Sequence, residues 1–334
     1  MSSEKQTVLV TGGAGYIGSH AVLALKESGY NVVILDNLVY GHRDIVENVL
    51  KVELIVGDTT DRELLDRLFA ERDICAVMHF AAYIAVGESV AEPGKYYQNN
   101  VHGTLTLLEA MIAADIKRFV FSSTCAIYGV PKEIPLIETH PKTPLSPYAS
   151  SKLMVEQILA DFDIAYGLKS SIFRYFNASG AHPNAQLGED HSPETHLIPL
   201  VLQAAMGRRD NIAIFGTDYD TPDGTCIRDY IHVCDLASAH VLGLEYLING
   251  GETEAFNLGN GNGFSVREAI EVAKRVTNCE IAVVEKERRP GDATVLLGSA
   301  EKAKKLLGWN PKYPELSDII AHAWQWHQVR HGDA

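Results

Sequence analysis

Short apolar runs alternate with amphipathic stretches along the first half of the chain. The run TVLVTG (7–12) is apolar and rich in β-branched residues, and it stops at a glycine. The segment SHAVLALKESG (19–29) repeats apolar residues at helical spacing and also ends at a glycine. Further strand-like runs are NVVILDN (31–37), VELIVGD (52–58), ICAVMHFAA (74–82) and RFVFSST (118–124). Strands that are apolar on both faces and separated by helices predict a doubly wound α/β domain with a parallel sheet.

The pattern changes after about residue 176. Residues 177–196 are polar and rich in turn formers, so we predict a loop there. A helical stretch, LIPLVLQAAMGRR, follows, and residues 216–232 then look irregular. We predict that EAFNLGNGN (254–262) is a strand that returns to the first sheet. The last 70 residues are expected to hold two helices around the strand-like EIAVVEKE (280–287).

These changes predict two interleaved domains. The parallel-sheet domain is expected to comprise residues 1–180 and 231–262. A second, smaller α/β domain is expected to comprise residues 181–230 and 263–334.

Composition excludes several function classes. The chain has 334 residues and a net charge of −14, so it should repel nucleic acid and anionic membrane surfaces. No apolar run approaches the roughly 20 residues that span a bilayer, and the polar start MSSEKQ does not resemble a secretory signal. The five cysteines are scattered, which is typical of a cytoplasmic protein with reduced thiols. No histidine pairs with cysteine or carboxylate at a zinc spacing, so no metal site is predicted.

The stretch TGGAGYIGSH carries the first candidate chemistry. It places Gly12, Gly15 and Gly18 between the first strand and the first helix. Glycines there permit a tight turn and close approach of the main chain to a pyrophosphate, and the helix N-terminus supplies amide donors. Asp36 ends the second strand, where a carboxylate accepts hydrogen bonds from a ribose diol and repels a 2′-phosphate. The motif therefore predicts a Rossmann-type domain that binds NAD rather than NADP.

Other candidate residues lie at strand ends, which face the ligand crevice in such sheets. Asp58 follows the third strand and either contacts the adenine or is a solvated strand end. Ala81 and Ala82 follow the fourth strand and would let the cofactor lie close. Asn99, in YYQNNV, is expected near the start of a helix, where it either caps the helix or contacts the cofactor.

A tyrosine and a lysine four residues apart occur twice. Tyr128 and Lys132 lie in YGVPK, whose proline prevents a shared helical face. Tyr148 and Lys152 lie in SPYASSK, whose proline suits the first turn of a helix. The positions of the two prolines therefore indicate that Tyr148 and Lys152 are the catalytic pair.

The position of Tyr148 predicts a lowered pKa. The helix dipole favours an anion in the first turn, and the Lys152 ammonium and a cationic nicotinamide ring would act in the same direction. We expect the phenol pKa to fall from about 10 toward neutrality, so that Tyr148 acts as a base. Thr124, at the end of the fifth strand, would hold the substrate oxygen. A hydroxyl, a tyrosine and a lysine beside a nicotinamide predict hydride transfer at a secondary alcohol.

Along essentially its whole length the chain resembles the extended short-chain dehydrogenase/reductase family, and within it the members that epimerise nucleotide sugars at C4. The matching stretches include TGGAGYIGSH, FSSTCAIYG, SPYASSKLMVEQIL, RYFNASGAHP, DGTCIRDYIHV and RRPGD. The resemblance implies an isomerase of galactose metabolism that interconverts UDP-glucose and UDP-galactose on tightly held NAD. Tyr148 would deprotonate the 4-hydroxyl, hydride would leave C4, and the 4-keto sugar would turn over before hydride returns to its other face.

The resemblance also implies further site residues. Lys152 would bind the cofactor ribose and tune Tyr148. The other implied cofactor contacts are Tyr16, Ile17, Asn37, Phe80 and Tyr175. The UDP part would be held by Asn177, Leu197, Phe215, Arg228, Arg289 and Asp292, and Thr124 and Tyr148 would contact the sugar. A homodimer through helices at about 97–114 and 149–166 is implied as well.

Three positions depart from the pattern of the resembled family. Ile84 stands where some members have lysine, and His196 stands where asparagine is common. Leu296 occupies the position that gates N-acetylated sugars, and its intermediate size leaves UDP-N-acetylglucosamine open as a substrate.

Competing functions remain on the same fold. A 4,6-dehydratase would need an Asp-Glu pair after the threonine, where this chain has Cys125 and Ala126. A catalytically silent NAD-binding protein would usually lack Tyr148 or Lys152. A decarboxylase stays open, as does the same epimerisation of a UDP-pentose, a UDP-uronate or UDP-N-acetylglucosamine, because the pocket around sugar C6 is not readable from the sequence.

The assignment of Tyr148 and Lys152 as the catalytic pair predicts that Tyr148→Phe and Tyr128→Phe differ in kcat. Tyr148→Phe should lower kcat by about 100-fold or more because it removes the acid–base group. Tyr128→Phe should leave kcat largely unchanged. Steady-state turnover of UDP-galactose measures both, and the opposite ranking would overturn the assignment.

Overall fold

The computed structural model describes residues 6–289 and 292–332. Its strands are β1 (Thr7–Thr11), β2 (Asn31–Asp36), β3 (Glu53–Val56), β4 (Ile74–His79), β5 (Arg118–Ser122), β6 (Lys169–Tyr175), β7 (Asn177–Ser179), β8 (Ile212–Phe215), β9 (Ile227–His232), β10 (Glu254–Leu258), β11 (Gly263–Ser265), β12 (Val283–Lys286) and β13 (Val295–Leu296). Its helices are α1 (Tyr16–Glu27), α2 (Arg62–Glu71), α3 (Val86–Ala91), α4 (Pro93–Tyr96), α5 (Gly103–Ala113), α6 (Pro147–Tyr166), α7 (Leu197–Ala205), α8 (Val233–Ile248), α9 (Val266–Thr277), α10 (Glu301–Leu307) and α11 (Leu316–His331). Two π-helical segments, Ile45–Leu50 and Tyr97–His102, and a 3₁₀ turn, Cys125–Tyr128, complete the regular structure.

Seven strands form one parallel sheet in the order β3-β2-β1-β4-β5-β6-β10. Successive residues of β1 point to opposite faces. Val8 and Val10 pack into the core under α1 and α8, whereas Leu9 packs into the core under α2, α5 and α6. The predicted doubly wound α/β fold is therefore confirmed. The strand order reverses between β1 and β4, and their carboxyl ends open the crevice where such sheets bind ligands.

The second half of the chain builds smaller sheets beside this crevice. β9 pairs with β7, β11 and β13, and β8 pairs with β12. The core beneath them is made by apolar residues of α7, α9 and α11. As predicted, residues 254–258 return to the large sheet, where β10 pairs in parallel with β6. The boundaries of the two interleaved domains stay a prediction.

Four local predictions were wrong. The loop predicted at 177–196 begins with a short strand, β7, because Asn177–Ser179 pairs in parallel with β9. The segment 216–232 ends in β9, a central strand whose polar residues hid its apolar alternation. Asn99 lies within a helical run that already begins at Pro93, inside its π-helical part, so Asn99 is not near a helix start. The part of the C-terminal region that the structure describes contains three helices, because the seven-residue α10 was too short to stand out.

A buried ion pair joins the large sheet to α6. The Arg174 guanidinium of β6 makes two hydrogen bonds to the Glu156 carboxylate of α6, at 3.0 and 2.7 Å, and both side chains are about 95% buried. Arg174 also donates to the Tyr128 hydroxyl at 2.9 Å, and that hydroxyl donates to Asn257 of β10 at 2.6 Å. Tyr128 therefore belongs to a structural network, which agrees with its rejection as half of a catalytic pair.

Removing one partner of this pair should destabilise the fold strongly. Arg174→Met leaves the Glu156 carboxylate buried and unpaired, so the free energy of unfolding should fall by about 3–5 kcal/mol. A matched control is Arg62→Met, which breaks an exposed pair with Asp66 and should cost less than about 1 kcal/mol. Urea unfolding measures both, and equal losses would contradict a special role for the buried pair.

Candidate active site

The glycine loop joins the end of β1 to the start of α1. Gly12 adopts a φ of +72°, and a Cβ there would lie 2.6 Å from the main-chain nitrogen of Ala81. A Cβ on Gly18 would lie 2.1 Å from the carbonyl oxygen of Gly12. Both positions therefore require glycine, for the turn and for close packing of α1 on the loop. Gly15 caps α1 without a side-chain hydrogen bond, and the first turn of α1 carries no acidic residue. Its amide groups fit an anionic ligand such as a pyrophosphate.

Asp36 ends β2 beside this loop. Its carboxylate accepts hydrogen bonds from the main-chain N–H groups of Ala14 and Leu38, at 2.9 and 2.8 Å. Burial raises the pKa of Asp36, and the two N–H groups oppose that rise. A carboxylate has about four acceptor sites, so two remain for a ribose diol. Tyr16 and Ile17 open α1, and the Tyr16 hydroxyl donates to the Gly180 carbonyl at 2.6 Å.

The next strand ends bring further predicted residues to the same edge. Asp58 lies two residues beyond β3, and its carboxylate accepts from the Asn37 amide at 2.8 Å. The side-chain and main-chain donors of Asn37 and Thr60 lower the pKa of Asp58 although burial opposes them. Asp58 is thus an ionised group held by its neighbours at the crevice.

The end of β4 forms the opposite wall. Phe80 donates its main-chain N–H to the Thr11 carbonyl at 2.9 Å, and Ala81 and Ala82 follow it. Asn99 donates its side-chain amide to Asn100 at 2.9 Å, and Asn100 in turn accepts from the main chain of Tyr83 at 2.9 Å. Ala81 thus lies close enough to Gly12 that only small residues fit between the two loops.

Three residues of α6 at positions i, i+4 and i+8 meet three consecutive residues, the last of β5 and the two that follow it. Lys152 donates to the Ser122 carbonyl at 2.8 Å, and Glu156 accepts from the Ser123 hydroxyl at 2.6 Å. Thr124 hydrogen bonds to Tyr148 and lowers its pKa. Ser146 caps α6 by accepting from the Ala149 N–H at 3.2 Å, with Pro147 as the first helical residue, so Tyr148 lies in the first turn as predicted.

Burial dominates the electrostatics of this pair. It raises the pKa of the Tyr148 phenol well above its usual value, and the nearby Tyr175 raises it further. Burial also lowers the pKa of Lys152 to about 7. The expectation that the helix dipole and Lys152 by themselves bring Tyr148 toward neutrality is therefore wrong for the protein's own groups. The reason is that desolvation penalises both charges at once.

Two groups near Thr124, the Cys125 thiol and the Tyr175 hydroxyl, stay protonated near neutral pH. Thr124 lies two residues beyond β5 and begins the 3₁₀ turn, accepting from the Ala126 N–H at 3.2 Å. Burial raises the pKa of Cys125 to about 12, so its thiol stays protonated. Burial likewise raises the pKa of Tyr175 to about 12, and its hydroxyl hydrogen bonds to Ser122.

Four residues predicted to hold the UDP part form one cluster. The Arg289 guanidinium donates to Asp292 at 2.9 Å and lies 4.8 Å above the Phe215 ring. Arg228 approaches Asp292 at 3.6 Å and donates to the carbonyls of Ile227 and Ala293. Two arginines beside one aromatic face suit a diphosphate and a base.

The remaining predicted positions lie on neighbouring elements. Asn177 begins β7 and donates its amide to the Asp229 carbonyl at 2.9 Å, beside Arg228. Leu197 begins α7 directly after His196. Leu296 pairs with Arg228 across β13 and β9 and packs on the small core that includes Cys125. Ile84 is 43% exposed.

Sequence reasoning missed Asp229. This residue of β9 is fully buried, and its carboxylate accepts from the main-chain N–H groups of Asn260 and Gly298 at 2.7 and 3.2 Å. Burial raises its pKa to about 7. It ties β9, which carries Arg228, to the glycine-rich turn after β10. The only available signal was an acid in the middle of a strand-like CIRDYIH, which the irregular interpretation of 216–232 concealed.

Comparison with known proteins places this geometry in a family. Residues 9–321 match the family model described as GDP-mannose 4,6 dehydratase. The chain is 53% identical over 321 residues to the UDP-glucose 4-epimerase of Halalkalibacterium halodurans, covering 96% of this chain and 95% of the relative. The chain belongs to the UDP-glucose 4-epimerase family.

Solved epimerase structures share its fold. The Brucella ovis UDP-glucose 4-epimerase in complex with NAD has a TM-score of 0.93 at 45% identity, covering 98% of each chain. The Bifidobacterium longum epimerase in complex with NAD⁺ and UDP has a TM-score of 0.92 at 40% identity, covering 98% of this chain and 99% of that one. The predicted membership in the extended short-chain dehydrogenase/reductase family is confirmed by these likenesses.

The lowered pKa of Lys152 predicts a pH-dependent stability. In the unfolded chain this lysine titrates near pH 10.4, whereas in the folded chain it titrates near pH 7. Between these values only the unfolded chain binds the proton, so the contribution of Lys152 to the free energy of unfolding should rise with pH by up to about 1.4 kcal/mol per pH unit.

Urea unfolding of nucleotide-free protein between pH 7 and about pH 9 measures this rise. Lys152→Met should remove this contribution, so the free energy of unfolding of the unchanged chain should rise relative to that of the variant as the pH increases. Tyr148 does not interfere, because its raised pKa affects stability only above about pH 10. Parallel pH profiles for the two proteins would contradict a buried, neutralised Lys152.

Proposed function

We propose that the chain is an NAD-dependent isomerase that interconverts UDP-glucose and UDP-galactose. The observation that carries this proposal is the α6 arrangement, in which Tyr148 and Lys152 meet Thr124 and the Ser122 carbonyl at the carboxyl end of β5. Family membership supports the same reaction.

The residues at the glycine loop fit NAD. The uncapped first turn of α1 offers amide donors to the pyrophosphate, and Gly12 keeps the main chain close to Ala81. Asp36 has acceptor sites left for the adenosine ribose and disfavours a 2′-phosphate. We propose that Asn37, Asp58 and Asn99 with Phe80, Ala82 and Tyr175 complete the cofactor contacts, and that Tyr16 and Ile17 contribute through the first turn of α1. When bound, NAD accepts hydride from sugar C4 and returns it.

Tyr148 moves the proton in this proposal. Its phenol oxygen removes the proton of the 4-hydroxyl and later returns a proton to the 4-keto oxygen, so one group serves as base and acid. Thr124 orients the same sugar oxygen through its hydroxyl. Because burial raises the pKa of Tyr148, a positive charge beside it is required for the base form. Lys152, fixed on the Ser122 carbonyl and set to bind a ribose hydroxyl, supplies only part of that charge near neutrality because burial lowers its pKa to about 7, and the cationic ring of the oxidised cofactor would supply the rest.

The UDP part anchors the substrate while the hexose turns over. Arg228 and Arg289 would bind the diphosphate, and Phe215 would pack on the base, with Asp292 orienting both arginines. Asn177 and Leu197 would complete this site from β7 and α7. Firm binding of UDP with loose binding of the hexose lets the 4-keto sugar present either face.

Dehydration is disfavoured although the matched family model carries a dehydratase name. Elimination of water across C5 and C6 needs an acid and a base beside the sugar. Cys125 and Ala126 follow Thr124 here, and burial raises the pKa of the Cys125 thiol to about 12. No group at these two positions can exchange a proton near neutrality.

One observation keeps a second substrate class open. Leu296 packs on the core that contains Cys125, next to the proposed catalytic Thr124. This position suits a residue that limits the size of the C2 substituent, so UDP-N-acetylglucosamine belongs in any substrate panel.

We also propose that the chain acts in the cytoplasm as a homodimer. No helix among the described residues is long and apolar enough to cross a bilayer. Ile164 and Met154 of α6 are 88% and 46% exposed, which supports a partner on this face. Analytical ultracentrifugation tests the dimer.

The proposed reaction predicts turnover without added cofactor. Purified chain should convert UDP-galactose to UDP-glucose and the reverse, and added NAD should change the rate little because the cofactor is retained through the cycle. Product formation is followed by chromatography of the UDP-sugars.

UDP-N-acetylglucosamine, a UDP-pentose and a UDP-uronate complete the panel for this assay. If NAD-replete protein converts none of the substrates, the proposed function is wrong. If it converts only one of the other UDP-sugars, the reaction stands and the substrate assignment changes.

A further inference from the structure

The segment 189–196 folds so that four metal-binding side chains converge. One donor atom from each of Glu189, His191, Glu194 and His196 lies within 4.8 Å of the other three. The Glu189 carboxylate is 2.6 Å from Nδ1 of His196 and 3.2 Å from Nδ1 of His191. The Glu194 carboxylate is 3.3 Å from His196 and 3.9 Å from His191. The catalytic proposal uses none of these side chains.

The cluster is enclosed by other parts of the fold. The side chains of Glu189 and Glu194 are each 95% buried. The Tyr16 ring meets the His191 ring edge-on, with 6.2 Å between centroids. Trp326 of α11 donates its indole N–H to the Glu189 carbonyl at 3.2 Å. Two carboxylates are therefore held away from water, which costs free energy unless a positive charge offsets it.

Two of the donor atoms lack aligned partners. Oε1 of Glu189 and Nδ1 of His196 are both buried, and neither has a hydrogen-bond partner of acceptable geometry among the described residues. They nevertheless lie 2.6 Å apart. Two buried polar atoms this close need a positive charge beside them or a proton between them, and a bound metal ion would supply that charge.

The ligand set selects a class of ion. Two imidazoles and two carboxylates suit Zn²⁺ and related first-row ions, whereas Mg²⁺ and Ca²⁺ prefer oxygen ligands. Tetrahedral ligands at zinc distances lie about 3.3 Å from one another. The separations of 3.2 and 3.3 Å match this value and the separation of 3.9 Å is close to it, whereas the 2.6 Å between Glu189 and His196 is shorter and must lengthen when an ion binds.

The carboxylate of Glu194 is already oriented by the main chain. Its Oε1 accepts from the N–H groups of Thr195 and His196, at 2.6 and 2.8 Å. Such contacts around a ligand fix its direction, as outer contacts do in established metal sites. Its Oε2 remains directed toward His191.

We propose that Glu189, His191, Glu194 and His196 bind one divalent transition-metal ion of the zinc class. With four protein ligands the site is closed, so the ion has a structural role. It joins the loop before α7 to Tyr16, at the start of α1, and thereby fixes the approach to Leu197. The inference concerns these four side chains and does not depend on the proposed reaction. In the competing explanation, protonated histidines neutralise the two carboxylates and no metal binds.

Metal binding is tested on the full chain without a polyhistidine tag. After treatment with EDTA and its removal, Zn²⁺ is titrated by calorimetry and the protein is analysed for metal content. We expect one Zn²⁺ per chain, a rise in Tm on addition of Zn²⁺, and tetrahedral absorption bands when Co²⁺ replaces Zn²⁺. Absence of stoichiometric binding to the folded, EDTA-treated chain would overturn the proposal.

A double variant locates the ion. His191→Asn combined with His196→Asn should weaken Zn²⁺ binding by more than about 100-fold and abolish the Tm rise, because two of four ligands are lost. The matched control is His140→Asn, which removes a histidine that accepts from the Lys132 N–H and packs on Tyr128. The control should keep full binding. Circular dichroism shows whether the double variant is folded, and a folded double variant that still binds one Zn²⁺ per chain would refute the assignment to this cluster.

Discussion

The contact between α6 and residues 122–124, at the end of β5 and just beyond it, is the constraint on which the rest of the site depends. Tyr148, Lys152 and Glu156 occupy one face of α6 and meet Thr124, Ser122 and Ser123 in turn. Glu156 is also clamped by both arms of the Arg174 guanidinium. A helix free to slide by one residue would lose all three contacts together. The buried ion pair thus fixes the position of Tyr148, and in the proposed reaction a small displacement of this group would be costly for catalysis.

The same burial sets the chemistry of the pair. Desolvation makes phenolate and ammonium costly together, so it raises the pKa of Tyr148 and lowers the pKa of Lys152. A ligand that carries a positive charge lowers the pKa of Tyr148, and this effect is strongest in a site that contains little water. Coupling proton transfer to the charge of the bound nicotinamide would let Tyr148 work as a base only when hydride transfer is possible.

The residues proposed to bind UDP lie on and beside one strand, β9. β9 carries Arg228, pairs with β7, which carries Asn177, and pairs with β13, which carries Leu296. Asp229, its neighbour in the same strand, is buried and fixes the turn after β10 through main-chain donors. Because successive side chains of a strand point to opposite faces, β9 presents Arg228 to the crevice and buries Asp229 in the core. The cluster of Glu189, His191, Glu194 and His196 would fix the loop that leads into α7, next to this region.

The amino-acid sequence by itself determined the doubly wound sheet, the glycine turn and the helix α6 that carries the proposed catalytic pair. Each rests on local rules: apolar runs, glycine where a Cβ would collide with the main chain, and a proline at the first position of α6 that separates Tyr148 from Tyr128. Tertiary structure alone decided the sign of the pKa shift of Tyr148, because burial depends on residues distant in sequence. It also decided that 227–232 is a strand, since neighbours from β7, β11 and β13 complete its hydrogen bonds. The convergence of four donors within 189–196 likewise depends on walls from α1 and α11, which no spacing rule along the chain contains.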